Sequence, residues 1–161
     1  MYLKGINMED EKWYGNWYDT WDGTGWEKIW KRFLELVNIE YEKMSDEEKS
    51  KLEILDTKEK FGELRVYLSG YNDAINNLVA EIEHVSTYTC IDCGKQPISE
   101  EGEHIICTSR QGWIVNLCRD CMLKHNIDYV DIYDNNKVTI TRFSEKGPIE
   151  TTWNPWKNYE S

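Results

Sequence analysis

The sequences Thr-Cys-Ile-Asp-Cys-Gly-Lys at positions 89–95 and Leu-Cys-Arg-Asp-Cys at positions 117–121 decide how the centre of this chain folds. Each holds two cysteines separated by two residues, a spacing that turns both sulfur atoms toward one point. Two such turns facing each other supply the four thiolates of a closed tetrahedral zinc shell, with no position left for water or substrate. The sequence therefore predicts a structural Zn²⁺ site. Its predicted ligands are Cys90, Cys93, Cys118 and Cys121.

The fifth cysteine and two nearby histidines are not assigned to the metal. Cys107 lies in the alternating segment 104–108, which is typical of a strand, so its side chain is predicted to pack rather than to ligate. His104 and His125 are only reserve ligands, because four thiolates already complete the shell. A single C-x-x-C can also be a redox dithiol, but a redox motif would not come in duplicate.

Upstream of the first cysteine pair, the sequence predicts three helices. Thr24 and Glu27 have the spacing of a capping box at the start of an amphipathic stretch, and Ser45 and Glu48 repeat this signature for a second, short helix. Residues 73–86 carry an apolar stripe at helical spacing and form the third helix. This last helix leads the chain into the first cysteine turn.

Alternating apolar residues predict three β-hairpins. The predicted strand pairs are 52–57 with 63–68, 103–108 with 113–117, and 129–133 with 137–143. A further short helix is expected through residues 122–124, and the tail Trp153–Trp156 is expected to pack back onto the body. The class predicted from this order of elements is α+β.

Eight tryptophans are more than one core of this size usually needs. Trp13, Trp17 and Trp21 recur every four residues and would share one face of a helix, although the nearby glycines argue against a long one. Most of them are predicted to lie in the core. The alternative is an exposed aromatic patch, since tryptophan and tyrosine anchor protein interfaces.

The sequence divides into three segments that are expected to pack as one unit. Residues 1–87 form a helical and hairpin body, residues 88–126 a zinc ribbon, and residues 127–161 a C-terminal hairpin and tail. The chain shows neither a secretory signal pattern nor an apolar run of membrane-spanning length. Together with cysteines in metal-like spacing, this predicts a soluble protein of a reducing cytoplasm.

The chain is strongly acidic, with 30 Asp and Glu against 19 Lys and Arg, a formal net charge of -11 and a pI near 4.8. Four thiolates around one Zn²⁺ would add two further negative charges. Such a field repels phosphate backbones and favours basic partner surfaces. The alternative is that the acidity only keeps a small protein soluble.

Residues 58–67 read Lys-Glu-Lys-Phe-Gly-Glu-Leu-Arg-Val-Tyr, followed by the amphipathic helix, a Cys-x-x-Cys-Gly turn, a Gly-Trp strand and a Leu-Cys-x-x-Cys turn. This combination, over about residues 55–124, resembles a family of small bacteriophage and prophage proteins with a KEKFG-x-LR-x-Y motif ahead of a zinc ribbon. In its acidic, compact, metal-bearing character the chain is also similar to phage anti-CRISPR proteins, including zinc-binding ones that inhibit the type II effector nuclease.

These resemblances imply a non-catalytic phage inhibitor of a host defence nuclease in the host cytoplasm, with the type II CRISPR effector as the first candidate. The expected partner is a host protein with a basic surface, and neither a membrane nor direct nucleic-acid binding is expected. Exposed aromatic residues from Trp13–Trp26 or from the Trp153–Trp156 tail are expected to anchor the partner.

Two alternatives stay open. In an HNH-type nuclease, residues 103–105 would supply catalytic groups. However, Cys107 stands where that pattern needs proline, and Met122 stands just past the last cysteine, where the pattern needs a second histidine. The second alternative is a nucleic-acid-binding zinc ribbon. Its local basic face would be Arg110, Arg119, Lys95 and Lys124. Against it, the module is net acidic, and no Lys/Arg-rich run interleaved with aromatic residues occurs in the sequence.

Overall fold

The computed structural model describes residues 12–160 and confirms the predicted α+β class. The helices are α1 (Glu27–Tyr41), α2 (Asp46–Lys51), α3 (Asp73–Thr87) and α4 (Arg119–Lys124). The strands are β1 (Glu53–Lys60), β2 (Glu63–Ser69), β3 (His104–Ser109), β4 (Asn116–Leu117), β5 (Tyr129–Asp134), β6 (Val138–Ser144) and β7 (Gly147–Trp153). Two 3₁₀ helices lie at Gly15–Asp19 and Pro155–Asn158.

The predicted helix starts are confirmed, although the first cap differs in detail. α1 begins at Glu27. The Glu27 carboxylate accepts from the backbone amide of Gly23 at 2.9 Å, and the Thr24 hydroxyl accepts from the backbone amide of Trp26 at 3.1 Å. At α2 the capping box is complete, with Ser45 and Glu48 bonding each other's backbone amides. The patterns therefore locate helix starts correctly.

The hairpin predicted around Gly62 is also confirmed, with a longer first strand. β1 and β2 are joined by Phe61 and Gly62, which both have positive φ (54° and 82°), the geometry of a tight two-residue hairpin turn. The free edge of β2 is covered by α3, where the Ser86 hydroxyl accepts from the Leu64 amide at 2.8 Å. A helix along this edge protects it from pairing with another chain.

The body core lies between α1, α3, the β1–β2 hairpin and the C-terminal tail. Its fully buried large side chains are Trp26, Trp30, Phe33, Leu34, Val37, Leu64, Ile75, Ile82, Val85 and Trp156. Trp13, Trp17 and Trp21 are half-buried and pack against this core. The chain around them forms turns and the short 3₁₀ helix rather than one longer amphipathic helix.

The hairpin predicted between residues 129–133 and 137–143 is wrong. β5 instead pairs antiparallel with β3, in a register that places Ile106 opposite Ile132, and β6 pairs with β7. Alternation specifies which residues share a face of a strand but not which other strand lies beside it. The three sheets are β1-β2, β4-β3-β5 and β6-β7.

The chain does turn between β5 and β6, but around a buried carboxylate. Asp134 accepts from the backbone amide of Asn136 at 2.9 Å and from the Trp156 indole at 2.7 Å, and lies 2.8 Å from His84 Nε2. Burial alone would raise the pKa of Asp134, but the hydrogen bonds from His84 and Trp156 hold it below its ordinary value. This network directs β6 away from β5.

The tail packs onto the body as predicted. Trp156 is fully buried, its ring stacks on His104 at a centroid distance of 3.5 Å, and Trp153 donates to the buried Glu81 carboxylate at 2.6 Å. Trp26 and Trp156 are core residues and cannot anchor a partner, whereas Trp13, Trp17, Trp21 and Trp153 are half-buried.

The three segments predicted from the sequence (1–87, 88–126 and 127–161) share sheets and hydrophobic cores with one another. β5, placed in the C-terminal segment, pairs with β3 of the zinc ribbon, and Trp156 lies in the body core. The first eleven residues of the body segment, and with them the predicted absence of a secretory signal, lie outside the described residues. Within residues 12–160, none of the helices combines the length and apolar character needed to cross a membrane.

Candidate metal centre

The four cysteines of the two C-x-x-C pairs lie together. Their sulfur atoms are all within 4.8 Å of one another, and Cys93 Sγ is 3.6 Å from Cys118 Sγ. In a tetrahedral site with zinc–sulfur bonds of about 2.3 Å, sulfur atoms lie about 3.8 Å apart. The structure therefore brings all four predicted ligands to a spacing at which one metal ion could be held.

The first cysteine turn is a closed backbone loop. The Cys90 amide donates to the Lys95 carbonyl at 2.9 Å, and the Gly94 amide donates back to the Cys90 carbonyl at 2.8 Å. Gly94 has a φ of 84°, a backbone conformation that residues other than glycine rarely adopt. The turn therefore needs a glycine directly after Cys93. The loop aims both of its thiols at the other cysteine pair.

Two residues of the body hold this turn in place. Gly25 donates to the Ile91 carbonyl at 2.5 Å, and a Cβ at Gly25 would overlap the backbone of Cys90. Trp26 donates its indole N–H to the Thr89 carbonyl at 3.1 Å. The sequence indicates Gly25 only as an obstacle to a long helix, because its close approach depends on a partner more than 60 residues away.

The second cysteine turn is tied to the body through Asn116. Cys118 is the N-cap of α4, and the carbonyl of Asn116, two residues earlier, accepts from the Ile91 amide at 3.5 Å. The buried side-chain amide of Asn116 donates to the carbonyls of Gly62 at 3.3 Å and Thr87 at 3.1 Å. One side chain therefore joins the ribbon, the tip of the first hairpin and the end of α3.

The surroundings of Cys90, Cys93 and Cys121 shift the pKa values of these thiols in different directions. Burial alone would raise the pKa of Cys90, but backbone amides, including that of Cys93, donate to its sulfur and hold the pKa below its ordinary value. Burial and the neighbouring thiols raise the pKa of Cys93 and of Cys121. A bound cation reverses this effect, since metal ligation deprotonates thiols outright. Four soft sulfur donors with no oxygen ligand suit Zn²⁺.

Cys107 and the reserve histidines lie outside the cluster. Cys107 donates its thiol to Asp131 at 3.2 Å, and burial raises its pKa to about 12, so this sulfur is a protonated packing group. His104 is buried under Trp156, and His125 Nε2 lies 3.0 Å from an Asp92 oxygen. Each has a structural partner of its own.

A nucleic-acid-binding ribbon would use four basic side chains as its binding face. Each of these four side chains lies against an aspartate, which neutralises its charge. The pairs and their nitrogen–oxygen distances are Lys95–Asp120 at 2.9 Å, Arg119–Asp131 at 3.3 Å, Arg110–Asp128 at 3.8 Å and Lys124–Asp92 at 3.9 Å. These exposed pairs add little stability, but they leave no strong positive field around the cysteines.

A cleft of about 820 Å³ separates α1 from the first cysteine turn and the C-terminal residues, and a smaller one of about 300 Å³ lies beyond Lys95. The charged side chains that line the larger cleft are of both signs, and none of the three histidines of the described chain lines either cleft. Neither cleft brings together an acid–base pair of the kind that HNH chemistry requires.

Comparison with protein-family models, curated proteins and solved structures finds no match for this chain. The resemblance to phage zinc-ribbon proteins thus rests on the motif residues alone. Function has to be argued from the geometry and charge of the molecule.

Proposed function

We propose that this chain holds one structural Zn²⁺ through its four clustered thiols and acts as a non-catalytic, phage-encoded inhibitor. Its target would be the basic nucleic-acid-binding surface of a host defence nuclease, with the type II CRISPR effector as the first candidate. The observation that carries the proposal is the closed four-thiolate cluster in a chain of net charge -11. The ion would shape the fold, and the charge would select the partner.

The surroundings of the histidines support a non-catalytic role. In the described part of the chain, His104 is stacked on Trp156, His84 faces the buried Asp134, and His125 lies beside Asp92. An HNH-type reaction needs a histidine base next to a catalytic metal with an open coordination position. The four-thiolate cluster offers the metal no such position once it is bound.

The distribution of acidic groups supports a basic partner. Several exposed carboxylates form no salt bridge within residues 12–160. They include Asp46, Glu53, Glu100, Glu101, Glu103, Glu145 and Glu150. An RNA-guided nuclease keeps a long positively charged channel for its heteroduplex and displaced strand, so its field complements this surface. Charges of this kind steer association more than they hold a complex.

The metal and the absence of cleavage can be tested on the purified chain. We expect about one zinc per chain by elemental analysis. Incubation with single-stranded and duplex DNA in Mg²⁺ or Mn²⁺ should leave both intact. Cleavage that disappears in His104→Ala would overturn the non-catalytic part of the proposal.

Inhibition can be tested by order of addition to the purified type II effector. Because acidic groups would compete with nucleic acid for the channel, inhibition should be strong when the chain is added before target DNA and weaker when it is added afterwards. Neutralising Glu100, Glu101 and Glu103 together to Gln should slow association, and added salt should remove that difference. Unchanged target loading at saturating inhibitor, with no co-elution on size exclusion, would rule out this partner.

A further inference from the structure

Two strongly exposed aromatic side chains stand on loops that are far apart in the sequence. Phe61 is 65% exposed at the tip of the β1–β2 hairpin, and Trp113 is 79% exposed in the β3–β4 loop. Glu59 links them, because one carboxylate oxygen accepts from the Gly62 amide at 2.7 Å and the other accepts from the Trp113 indole at 3.4 Å. Both rings therefore belong to one surface.

The loops that carry these rings are held by hydrogen bonds. Asn116 donates to the Gly62 carbonyl, and its side chain fills the space that a Cβ on Gly62 would need. In the β3–β4 loop the Ser109 hydroxyl donates to the Trp113 carbonyl at 2.9 Å and accepts from the Val115 amide at 3.1 Å. Both aromatic side chains thus extend from ordered backbone.

Neither ring is explained by the packing of the described fold. Phe61 has a φ of 54°, a left-handed conformation that costs a bulky residue on the order of 1 kcal/mol and that glycine or asparagine would adopt more easily. Phe61 is nevertheless exposed, so burial does not offset this cost. Strained, exposed aromatic residues are a reason to look for a ligand.

The charge beside the rings differs from that of the rest of the chain. Residues 58–65 contain three basic and two acidic side chains, so this segment is net positive in a chain of net charge -11, whereas Arg110 of the β3–β4 loop is paired with Asp128. Within residues 12–160, Lys58 and Lys60 form no salt bridge, and the Lys60 ammonium lies 5.7 Å from the centre of the Phe61 ring. Cations and stacking faces therefore occur together.

We infer that this surface, formed by Lys58, Lys60, Phe61 and Trp113, binds a single nucleic-acid strand. Unpaired bases would stack on the two rings, and the two lysines would contact the phosphates. A duplex fits less well, because its base faces are already covered. Phe61 directly follows Lys60, whose ammonium lies beside its ring, whereas charged residues are depleted at the centre of a protein interface. The exposed neighbour of Trp113 is the apolar Ile114. Glu59 lies within this surface and opposes the strand locally, whereas acidic groups more than about 8 Å away are screened at physiological salt.

Fluorescence anisotropy of a labelled oligothymidine of about 12 nucleotides, titrated with the zinc-loaded full chain, tests the inference. Trp113→Ala and Phe61→Ala should each weaken binding about tenfold, because a stacked aromatic side chain commonly contributes that much per base. Two phosphate contacts predict a slope of about -1.4 for the logarithm of affinity against that of salt. Phe143→Ala is the matched control, since Phe143 is 84% exposed on the β6–β7 hairpin.

Zinc content and thermal melting check that each variant is folded, and Lys60→Ala serves as a milder second test that should weaken binding about two- to threefold. No binding at about 50 mM salt, or an equal loss in Phe143→Ala, would overturn the inference. If the chain binds no oligonucleotide but co-elutes with the purified type II effector, and Trp113→Ala abolishes that co-elution, the inference is overturned and the surface is a protein-docking site. The oligonucleotide titration itself contains no nuclease, so its result is independent of the proposed inhibition.

Discussion

The body and the ribbon of this protein are held together by different means. The body core contains tryptophan, phenylalanine and aliphatic side chains from α1, α3, both strands of the first hairpin and the tail. In the ribbon core, four of the seven buried residues are cysteines. Ile106, Leu117 and Met122 are the apolar remainder. A large apolar core holds its fold without a ligand, whereas a core made mainly of thiols needs a metal ion.

The energies point the same way. Burying one large apolar side chain contributes about 1.5–3 kcal/mol, so three buried residues and the six partly buried ones packed against them do not offset the ordering entropy of the ribbon. A structural zinc contributes on the order of 10 kcal/mol to the folding of a small module. The two regions should therefore respond differently to metal removal and to substitution.

Removal of the metal should have the largest effect, and it should be confined to the ribbon at first. Cys90→Ser or Cys121→Ser should lose the zinc, whose apparent binding free energy is about 10 kcal/mol. In these variants strand β3 should lose its protection from amide exchange, while α1 keeps it. Cys107→Ser is the control and should keep its zinc, because that thiol bonds Asp131. Zinc loss in the control would show that the ligand set is wrong.

A substitution in the body core should show the opposite pattern. Phe33→Ala removes a fully buried ring and should lower the free energy of unfolding by about 3–5 kcal/mol in urea titrations. Zinc stoichiometry should stay at about one under conditions where the variant is folded. Leu55→Ala, at a side chain that is 56% exposed, should cost less than about 0.5 kcal/mol. Metal loss in Phe33→Ala would mean that the two cores form a single cooperative unit.

Gly25→Ala tests the contact between the two regions. The added methyl group would overlap the backbone of Cys90 and Gly94, so the first cysteine turn has to shift. We expect a loss of about 1–3 kcal/mol in stability and a lower zinc affinity in competition with a chelator. Gly102→Ala is the control, because its methyl group meets open space while its φ of 85° strains the backbone. Comparing the two variants separates the effect of overlap from that of backbone strain. Equal zinc affinity in both variants would contradict the contact.

The smallest expected effect is a pH dependence within the body. Burial is the main reason that the pKa of Glu83 rises from 4.5 to about 7, with Glu63 adding to the shift and Arg65 opposing it. The folded state then binds the proton more tightly than the unfolded state, so this contribution to stability is present below about pH 4.5 and is lost as the pH rises through about 7.

Glu83→Gln should remove this dependence. Because the side chain is partly exposed, we expect the variant to be only about 1 kcal/mol more stable than the parent at pH 8, with no gain at pH 4. Urea titrations at both pH values measure the difference. The exposed Glu100→Gln provides the comparison, and an equal gain there would assign the effect to net charge rather than to Glu83.

The predictions from sequence succeeded where neighbouring residues decide the structure. The capping box at Ser45, the tight turn at Gly62 and the start of α3 depend on a few adjacent residues. They failed where alternation had to name a partner strand, as for residues 129–133 and 137–143. They were right that most of the tryptophans lie in or against the body core, although spacing did not identify Trp113 as the exposed one.

The sequence by itself determined the α+β class, the four cysteines of the metal cluster and most helix and turn positions, since these follow from local spacing and backbone preference. Only the tertiary structure decided which strands lie beside β5 and β6, that Gly25 supports the first cysteine turn, and that Phe61 and Trp113 share one surface. Glu59 brings those rings together across more than 50 residues of chain. Contacts of that range are set by the packing of the whole molecule, which no short stretch of residues encodes.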